Sequence, residues 1–301
     1  MRISDLLRFA RERGEPVFSF EFFPPKNDEG ERQLFATVEA LRPLGPGFVS
    51  VTCGAGGSTR DRTLEVVTRI KRETEIEAMA HVTCAGVSRE EIAATLDAIA
   101  EAGIRNVLAL RGDPPRGQAT FVPHPGGFAF ASELVAFIRS DPKRWPFCVG
   151  AAAYPEGHVE TRDLEKDLRH LATKVQSGAD FLLTQLFFDN GRYVRFVERA
   201  RAAGILVPIV PGIMPFTNVD QVERFTAMCG ARIPAPLRAA MEVRREDADG
   251  ARELGVAYAG LQCADLLRHG APGVHFYTLN RSPSTRAILA ALRAMEPWRE
   301  R

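Results

Sequence analysis

The sequence predicts an α/β protein folded as a single (β/α)8 TIM barrel. Short apolar runs alternate with helix-length segments along the chain, and eight such runs occur. The length of 301 residues is also normal for one barrel of this kind. An open doubly wound sheet is the structural alternative, but its GxGxxG dinucleotide motif does not follow the first apolar run.

The predicted strands are the apolar runs rich in valine, leucine and phenylalanine, and the segments between them have the length of one crossover helix. Because strands that alternate with helices run parallel, closure of eight units gives a barrel. Four glycines, Gly103, Gly178, Gly204 and Gly270, stand where helix C-caps are expected. The predicted strands are residues 18–23, 48–52, 78–84, 106–112, 147–154, 181–188, 207–214 and 273–280.

Three segments depart from strict strand–helix alternation. Residues 1–16 predict a short amphipathic helix before the first strand. Residues 113–129 form a long loop rich in proline and glycine after the fourth strand, and long loops in compact domains are commonly functional. Residues 218–270 hold more helix than one crossover needs, enough for three helices before the last strand. Since no linker or change of composition interrupts the chain, we expect one domain over residues 1–301.

Composition excludes several classes of partner. The net charge of +1 argues against a general attraction to nucleic acid or to a membrane surface. No apolar run approaches the length of about 18 residues that a membrane span needs, and the N-terminus lacks the apolar core of a signal peptide. The five cysteines form no CxxC pair, so we expect neither a disulfide framework nor a metal site. A cytoplasmic protein is expected.

The first predicted strand carries a carboxylate among aromatic side chains. In FSFEFFPPK (18–26), side chains alternate between two faces, so three phenylalanines share one face and Ser19 and Glu21 share the other. The phenylalanines are expected to pack under the helices. Two prolines end the strand directly afterwards, which places Glu21 inside the barrel at its C-terminal rim.

Four other predicted strands also carry polar side chains near their C-terminal ends, on the face predicted to point into the barrel. A barrel interior is normally filled by branched apolar side chains, and barrel active sites lie at the C-terminal ends of the strands. A single strand glutamate or histidine is more often a structural residue, but the coincidence on five strands favours an active site. The additional polar residues are Ser50, Thr52, His81, Thr83, Arg111, Asp113 and Gln185.

Eight motifs, one on each predicted strand, follow in order from about residue 15 to about residue 295: FSFEFFPPK, FVSVTCGAGGSTRDRT, AHVTC, ALRGDPP, AAYPEGH, TQLFFD, VPGIMP and HFYTLNR. Together they resemble the bacterial methylenetetrahydrofolate reductases. The resemblance implies an FAD-dependent barrel that reduces 5,10-methylenetetrahydrofolate to 5-methyltetrahydrofolate with NADH or NADPH, in ping-pong order. It also implies a homo-oligomer, either dimer or tetramer. A single catalytic domain is expected, without the regulatory domain and S-adenosylmethionine control of eukaryotic members.

The resemblance assigns roles to individual positions. Glu21 takes the place of the general acid, and Asp113 that of a catalytic carboxylate beside the flavin pyrimidine and the pterin. The substrate-binding positions are Thr52 beside the nicotinamide, Gln185, Gln221 and Arg281 at the folate, and Phe225 stacking on either substrate. The FAD positions are Cys53, Ala55, His81, Arg111, Gly112, Asp113, Ala131, Tyr154, His158, Asp167, His170 and Lys174. Cys53 replaces a tyrosine and His170 an asparagine of the enteric enzymes, which bears on the FAD contacts.

The chemistry implied by the resemblance needs an acid. Protonation on the N10 side of the folate opens its ring to a cationic iminium, which accepts hydride readily. Apolar surroundings favour the protonated form of a carboxyl group, so Glu21 suits that role. Three alternatives remain open at this point: an FAD barrel of the proline dehydrogenase type, a flavin-free pterin-binding methyltransferase barrel, and a non-catalytic folate-binding protein.

Overall fold

The computed structural model describes residues 1–54, 59–114, 120–161, 163–281 and 283–300. It is a nearly closed barrel of parallel strands surrounded by helices, as the alternating pattern predicted. The strands are β1 (Val17–Phe22), β2 (Phe48–Val51), β3 (Glu77–Thr83), β4 (Asn106–Leu110), β5 (Cys148–Ala153), β6 (Phe181–Thr184), β7 (Ile209–Val210), β8 (Gly212–Ile213) and β9 (Gly273–Tyr277).

The helices lie between the strands, and two short 3₁₀ helices, Arg42–Leu44 and Pro297–Arg299, supplement them. The α-helices are α1 (Ile3–Glu12), α2 (Asp28–Leu41), α3 (Arg60–Thr74), α4 (Arg89–Glu101), α5 (Ala131–Ser140), α6 (Leu164–Gln176), α7 (Asn190–Ala202), α8 (Val219–Cys229), α9 (Ala235–Glu242), α10 (Ala248–Arg268) and α11 (Pro283–Met295). Helices α8, α9 and α10 confirm the three helices predicted before the last strand, where one crossover would need a single helix. All four predicted C-cap glycines have positive φ angles.

One barrel strand is interrupted. The predicted strand at 207–214 is split at Pro211 into β7, which pairs with β6, and β8, which pairs with β9. Because proline has no N–H group to donate to a strand ladder, the strand is interrupted at this residue. The carbonyl of Pro211 still accepts a hydrogen bond of 2.9 Å from the N–H of His275. The two halves therefore close the barrel between β6 and β9.

Apolar side chains form one core inside the barrel and another between the strands and the helices. Helix α1 closes the N-terminal opening, because its buried Ile3 and Leu7 pack into the interior cluster with Phe48 and Phe181. The N–H of Ile3 donates to the side chain of Asn106 over 2.8 Å, which fixes the helix to β4. The interior is thus apolar near α1, and the open end is the C-terminal one. Among the described residues, no helix is long and apolar enough to cross a membrane.

The predicted faces hold for β1. Phe18, Phe20 and Phe22 are at most 1% exposed and belong to the outer core under the helices. Ser19 and Glu21 point into the barrel, where both contact His275.

The predicted faces are wrong for β4. Leu108 and Leu110 belong to the interior cluster, whereas the sequence analysis placed Arg111 and Asp113 on the inward face. The strand ends at Leu110, and Gly112 then adopts a φ of 85°, so strand alternation does not continue to Arg111. Arg111 and Asp113 reach the C-terminal rim from the loop, and not from the inward face of the strand.

Candidate active site

Glu21 lies at the centre of a buried polar cluster at the open end of the barrel. Its side chain is 10% exposed, and its Oε2 atom lies 3.5 Å from Nε2 of His81 and 3.6 Å from Nε2 of His275. Strand pairing places these groups together, because Ser19 of β1 is opposite His275 of β9. The carboxyl group is thus flanked by two imidazoles, each slightly beyond hydrogen-bond length.

His275 is the functional candidate that the sequence analysis missed. It is fully buried, its Nδ1 atom lies 2.8 Å from Oγ of Ser19, and its Nε2 atom lies 3.3 Å from Oγ of Ser50. Its ring stacks on Phe48 and meets the ring of Tyr277 edge-on. The alternation of GVHFY (273–277) could have indicated it, since His275 and Tyr277 fall on one face of the strand.

His81 differs from His275 in having no hydrogen bond at Nε2 among the described residues. Burial lowers the pKa of His81 to about 4; Glu21 opposes this effect and His275 adds to it. His81 is therefore neutral at neutral pH. Its unpaired nitrogen faces the Glu21 carboxyl group at a distance beyond hydrogen-bond length.

A second cluster lies at the rim on the loops after β4 and β5. The guanidinium of Arg111 donates to both carboxylate oxygens of Glu160, over 2.6 and 2.8 Å, and lies over the ring of Phe121. The hydrogen bonds that Arg111 donates to Glu160 raise the pKa of Arg111, and Asp113 adds to the effect. Asp113 itself is exposed, beside this ion pair.

Lys174 of α6 reaches the same region. Its Nζ atom donates to the carbonyl of Ala152 over 2.7 Å and lies 5.5 Å from the ring centre of Tyr154. Desolvation lowers the pKa of Lys174 to about 8, although the nearby Asp167 opposes the shift. Desolvation also raises the pKa of Tyr154 to about 12. Arg111 contributes to the lowering at Lys174, so two cations lie close together at this rim.

Two histidines complete the rim. The ring of His158 meets Tyr154 edge-on at 4.8 Å, and burial lowers its pKa, with Arg111 as the next cause. His170 is exposed, and its ring lies 6.1 Å from that of Phe130. Both histidines act electrostatically on Asp167, whose pKa is nevertheless raised by burial. The structure thus brings together most of the positions expected to hold FAD.

The remaining FAD positions lie between this rim and the interior. Cys53 is half-buried after β2, and burial raises the pKa of its thiol. Gly112 packs against β3, since a Cβ atom there would lie 3.0 Å from the Cβ atom of Thr83. Ala131 is the first residue of α5. Ala55 lies outside the described residues.

The expected substrate positions lie on other elements. Thr52 follows β2 and is half-buried. Gln185 follows β6, and Gln221 stands in the first turn of α8. Phe225 belongs to an apolar cluster with Tyr277, which links α8 to the Glu21 region. Arg281 is exposed after β9, and the structure gives its side chain no contact with the other expected substrate positions.

The donor set fits FAD better than a metal ion. Arg111 and Lys174 supply two neighbouring cations, the charge that a diphosphate needs. Beside them, the buried Nε2 atom of His81 and hydroxyl of Thr83 supply polar groups that have no hydrogen-bond partner in the described part of the chain. By contrast, among the described residues no group of three His, Cys, Asp or Glu side chains has the arrangement of a metal site.

Comparison with known proteins places the chain in a family. The methylenetetrahydrofolate reductase family model matches residues 6–293. The chain is 38% identical over 283 residues to the 5,10-methylenetetrahydrofolate reductase of Escherichia coli, covering 94% of this chain and 93% of that protein.

Plant relatives are similar in sequence but longer. Methylenetetrahydrofolate reductase (NADH) 1 of Arabidopsis thaliana is 40% identical over 316 residues, covering 99% of this chain and 53% of the relative. The chain therefore spans about half the length of the plant relatives it matches.

A solved structure supports the fold. An uncharacterized protein from Clostridium thermocellum, which binds two copies of 5-methyl-5,6,7,8-tetrahydrofolic acid, superposes with a TM-score of 0.62 at 16% identity. The match covers 96% of this chain and 99% of that protein. The family model and the bacterial relatives extend over nearly the whole barrel, including the strands that carry Glu21, His81 and His275. The chain therefore belongs to the methylenetetrahydrofolate reductase family.

Proposed function

We propose that this protein reduces 5,10-methylenetetrahydrofolate to 5-methyltetrahydrofolate with NADH or NADPH as the electron source. Membership of the family supports the reaction class. The observation that carries the proposal is the position of Glu21, whose side chain is 10% exposed and whose carboxyl group is flanked by two imidazoles at the open end of the barrel. That position suits a general acid that acts on a bound substrate.

The methylene carbon of the substrate bridges two nitrogens and is a poor hydride acceptor. Protonation on the N10 side opens the ring and leaves an iminium cation, which accepts hydride to give the methyl product. We assign this protonation to Glu21. The proton travels from the carboxyl oxygen to the folate nitrogen, and the C–N10 bond breaks as the nitrogen takes up the bonding pair.

The histidines beside Glu21 have different roles. His81 is neutral at neutral pH, because burial lowers its pKa to about 4, so it adds no cation that would draw the proton off Glu21. His275 is held by Ser19 and Ser50, with one serine at each ring nitrogen. These hydrogen bonds fix the orientation of the imidazole, so that its Nε2 atom faces the carboxyl group.

FAD, when bound, would carry hydride from the reduced nicotinamide to the folate, with the two substrates binding in turn. Arg111 and Lys174 would hold its diphosphate, with His158, Asp167 and His170 beside them. The ion pair between Arg111 and Glu160 holds the guanidinium at the rim. Asp113 lies next to it and, as an anion, would stabilise the cationic folate.

The folate positions complete the assignment. Gln185, Gln221 and Arg281 would hydrogen-bond the pterin and the glutamate tail, and Phe225 would stack on the substrate bound at the time. Thr52 would lie beside the nicotinamide. Support for Phe225 comes from its packing in the same apolar cluster as Tyr277, whose ring adjoins His275.

The proposal is tested by two half-reactions measured separately. Purified protein loaded with FAD is mixed anaerobically with NADH or NADPH, and bleaching of the flavin absorbance is followed. Methylenetetrahydrofolate is then added, and reoxidation is expected. Reduction of the flavin by proline, or methyl transfer by protein free of flavin, would contradict the proposal. Protein that binds folate but turns over with neither donor would indicate a non-catalytic binding protein.

We also propose that the protein is a homo-oligomer. Helices α8 to α10 carry large apolar side chains that are mostly exposed: Met228 at 68%, Val243 at 81% and Leu261 at 74%. Light scattering coupled to size exclusion tests this proposal, and a mass equal to that of one chain would contradict it.

A further inference from the structure

Thr83 ends β3 on the inward face, two residues after His81. The side chain is 6% exposed, and among the described residues its hydroxyl group has no hydrogen-bond partner. The thiol of Cys53 lies beside this hydroxyl group, and the interaction between them opposes the rise in the pKa of the thiol, but the two groups do not meet in hydrogen-bonding geometry. His81, on the same face, is also 6% exposed and has an unpaired Nε2 atom. Two unpaired polar atoms therefore follow one another at the mouth of the barrel.

Such atoms are uncommon in folded proteins. Buried hydroxyl groups nearly always have a hydrogen-bond partner, because leaving one unpaired forfeits its interaction with water and gains nothing in return. Two other buried threonines follow the rule: the hydroxyl of Thr74 donates to the carbonyl of Ile70 over 2.7 Å, and that of Thr184 accepts from the N–H of Gly212 over 2.9 Å. The hydroxyl of Thr83 is thus available to a ligand.

The surroundings of Thr83 indicate which ligand its hydroxyl group could bind. Strand β3 pairs with β4, and Thr83 is opposite Leu110, directly before Arg111. Gly112 packs against the methyl side of Thr83, where a Cβ atom would lie 3.0 Å from the Cβ atom of Thr83. The side chain of Thr83 therefore lies beside the loop that carries Arg111. The expected folate positions follow β6, β9 and the start of α8, on other elements of the barrel.

We propose that the Thr83 hydroxyl is a further binding contact for the flavin, in addition to the positions assigned above. A hydroxyl group can donate to a ring nitrogen or carbonyl oxygen and can accept from a ring N–H, so it suits the polar edge of a flavin. This inference rests on the proposed use of FAD. It adds a contact on β3 that positions the ring system close to Glu21, which is two strands away in the barrel order β3-β2-β1.

The test is Thr83→Val, which removes the hydroxyl group and keeps the shape of the side chain. The full-length protein is stripped of flavin and titrated with FAD, and quenching of flavin fluorescence gives the dissociation constant. Loss of one neutral hydrogen bond is expected to weaken FAD binding about fivefold. Without flavin, the thermal midpoint of the variant is expected to equal or exceed that of the wild type, because an unpaired buried hydroxyl group has been removed.

Thr74→Val is the matched control. Thr74 is a buried threonine at the end of α3, and its hydroxyl group is paired within the protein. The control is expected to lower the thermal midpoint and leave FAD binding unchanged. Equal FAD affinity in Thr83→Val and wild type would overturn the inference. A lower thermal midpoint of the flavin-free variant would also overturn it, because it would show that the hydroxyl group already has a protein or water partner. Failure of the wild type to bind FAD would instead overturn the proposed cofactor.

Discussion

Glu21 illustrates how a charged residue can occupy a barrel interior. Its neighbours on the sequence are phenylalanines, but these pack under the helices and do not enclose the carboxyl group. The groups that enclose it are His81, His275 and, through His275, the hydroxyl groups of Ser19 and Ser50. Polar neighbours lower the free-energy cost of burying the carboxyl group, whereas apolar neighbours alone would leave it unpaired.

Replacing Glu21 with glutamine is expected to abolish folate reduction and to preserve flavin reduction by the nicotinamide. The amide keeps the size of the side chain but cannot deliver a proton to the folate. Stopped-flow absorbance at the flavin band measures the two half-reactions separately.

Glu77→Gln is the control for this variant, because Glu77 begins β3 at the opposite end of the barrel and pairs there with Lys71 and the N-terminus. Both half-reactions should survive in the control. If Glu21→Gln slowed both half-reactions equally, Glu21 would not be the acid.

Lys174 predicts a dependence of FAD binding on pH. Desolvation lowers the pKa of Lys174 to about 8 in the protein without ligand. A bound diphosphate favours the charged ammonium, so binding raises this pKa. Affinity is therefore expected to be constant below about pH 8 and to fall as pH rises above it. Titrations with FAD at pH 7, 8 and 9, followed by fluorescence, measure the slope.

Lys174→Arg separates this effect from other titrations at the rim. Arginine stays charged throughout this pH range, so the fall in affinity above about pH 8 should disappear. A fall of the same size in both proteins would assign the titration to another group.

At the scale of elements, the interruption between β7 and β8 decides how the barrel closes. The hydroxyl of Tyr277 donates to the carbonyl of Thr184 over 2.6 Å, which ties the end of β9 to the end of β6 across the break. Gly212 lies under this contact. A Cβ atom there would lie 2.3 Å from the Thr184 oxygen and 2.6 Å from the Tyr277 oxygen, so a side chain is excluded.

Gly212→Ala is expected to destabilise the protein by about 1–3 kcal/mol, because the contact must open to admit the methyl group. Urea unfolding followed by circular dichroism measures the change. Gly260→Ala is the matched control, since Gly260 lies in α10 with no atom within 4 Å of an added Cβ. The control should be neutral or stabilise by up to about 1 kcal/mol. Equal stability in the two variants would show that the contact of Gly212 with Thr184 and Tyr277 is not closely packed.

At the scale of the whole molecule, helix α1 closes one end of the barrel and the loops after the strands form the other. The closed end is apolar, with Ile3, Leu7 and Phe48 in contact. The open end holds the cationic rim, so the protein without ligand keeps Arg111 and Lys174 close together. A dianionic ligand would relieve their repulsion and bind the folded state alone.

FAD is therefore expected to raise the thermal midpoint with increasing concentration. Ligand present at about 100 times its dissociation constant adds about 2.7 kcal/mol to the free energy of unfolding. Differential scanning fluorimetry with an extrinsic dye measures the shift, and free riboflavin, which lacks the diphosphate, is the control ligand. An equal shift with riboflavin would argue against the diphosphate role of Arg111 and Lys174.

Local patterns in the sequence predict the barrel and the inward position of Glu21. Strand–helix alternation, the proline-terminated strand of Glu21 and the three helices before the last strand are local properties, visible in the spacing of apolar residues and in residues that end strands. The interruption at Pro211 was not predicted, although a residue without an N–H group cannot continue a ladder.

Only the tertiary structure decided the partners. His275 meets Glu21 because β9 pairs with β1 in a register that closes the barrel, a contact between residues 254 positions apart in the chain. Arg111 does not lie on the predicted inward face, because Leu108 and Leu110 occupy that face and the strand ends at Leu110, and its carboxylate partner comes from the loop after the next strand. Alternation along a strand is fixed by local backbone geometry, whereas register and loop conformation are fixed by packing of the closed barrel.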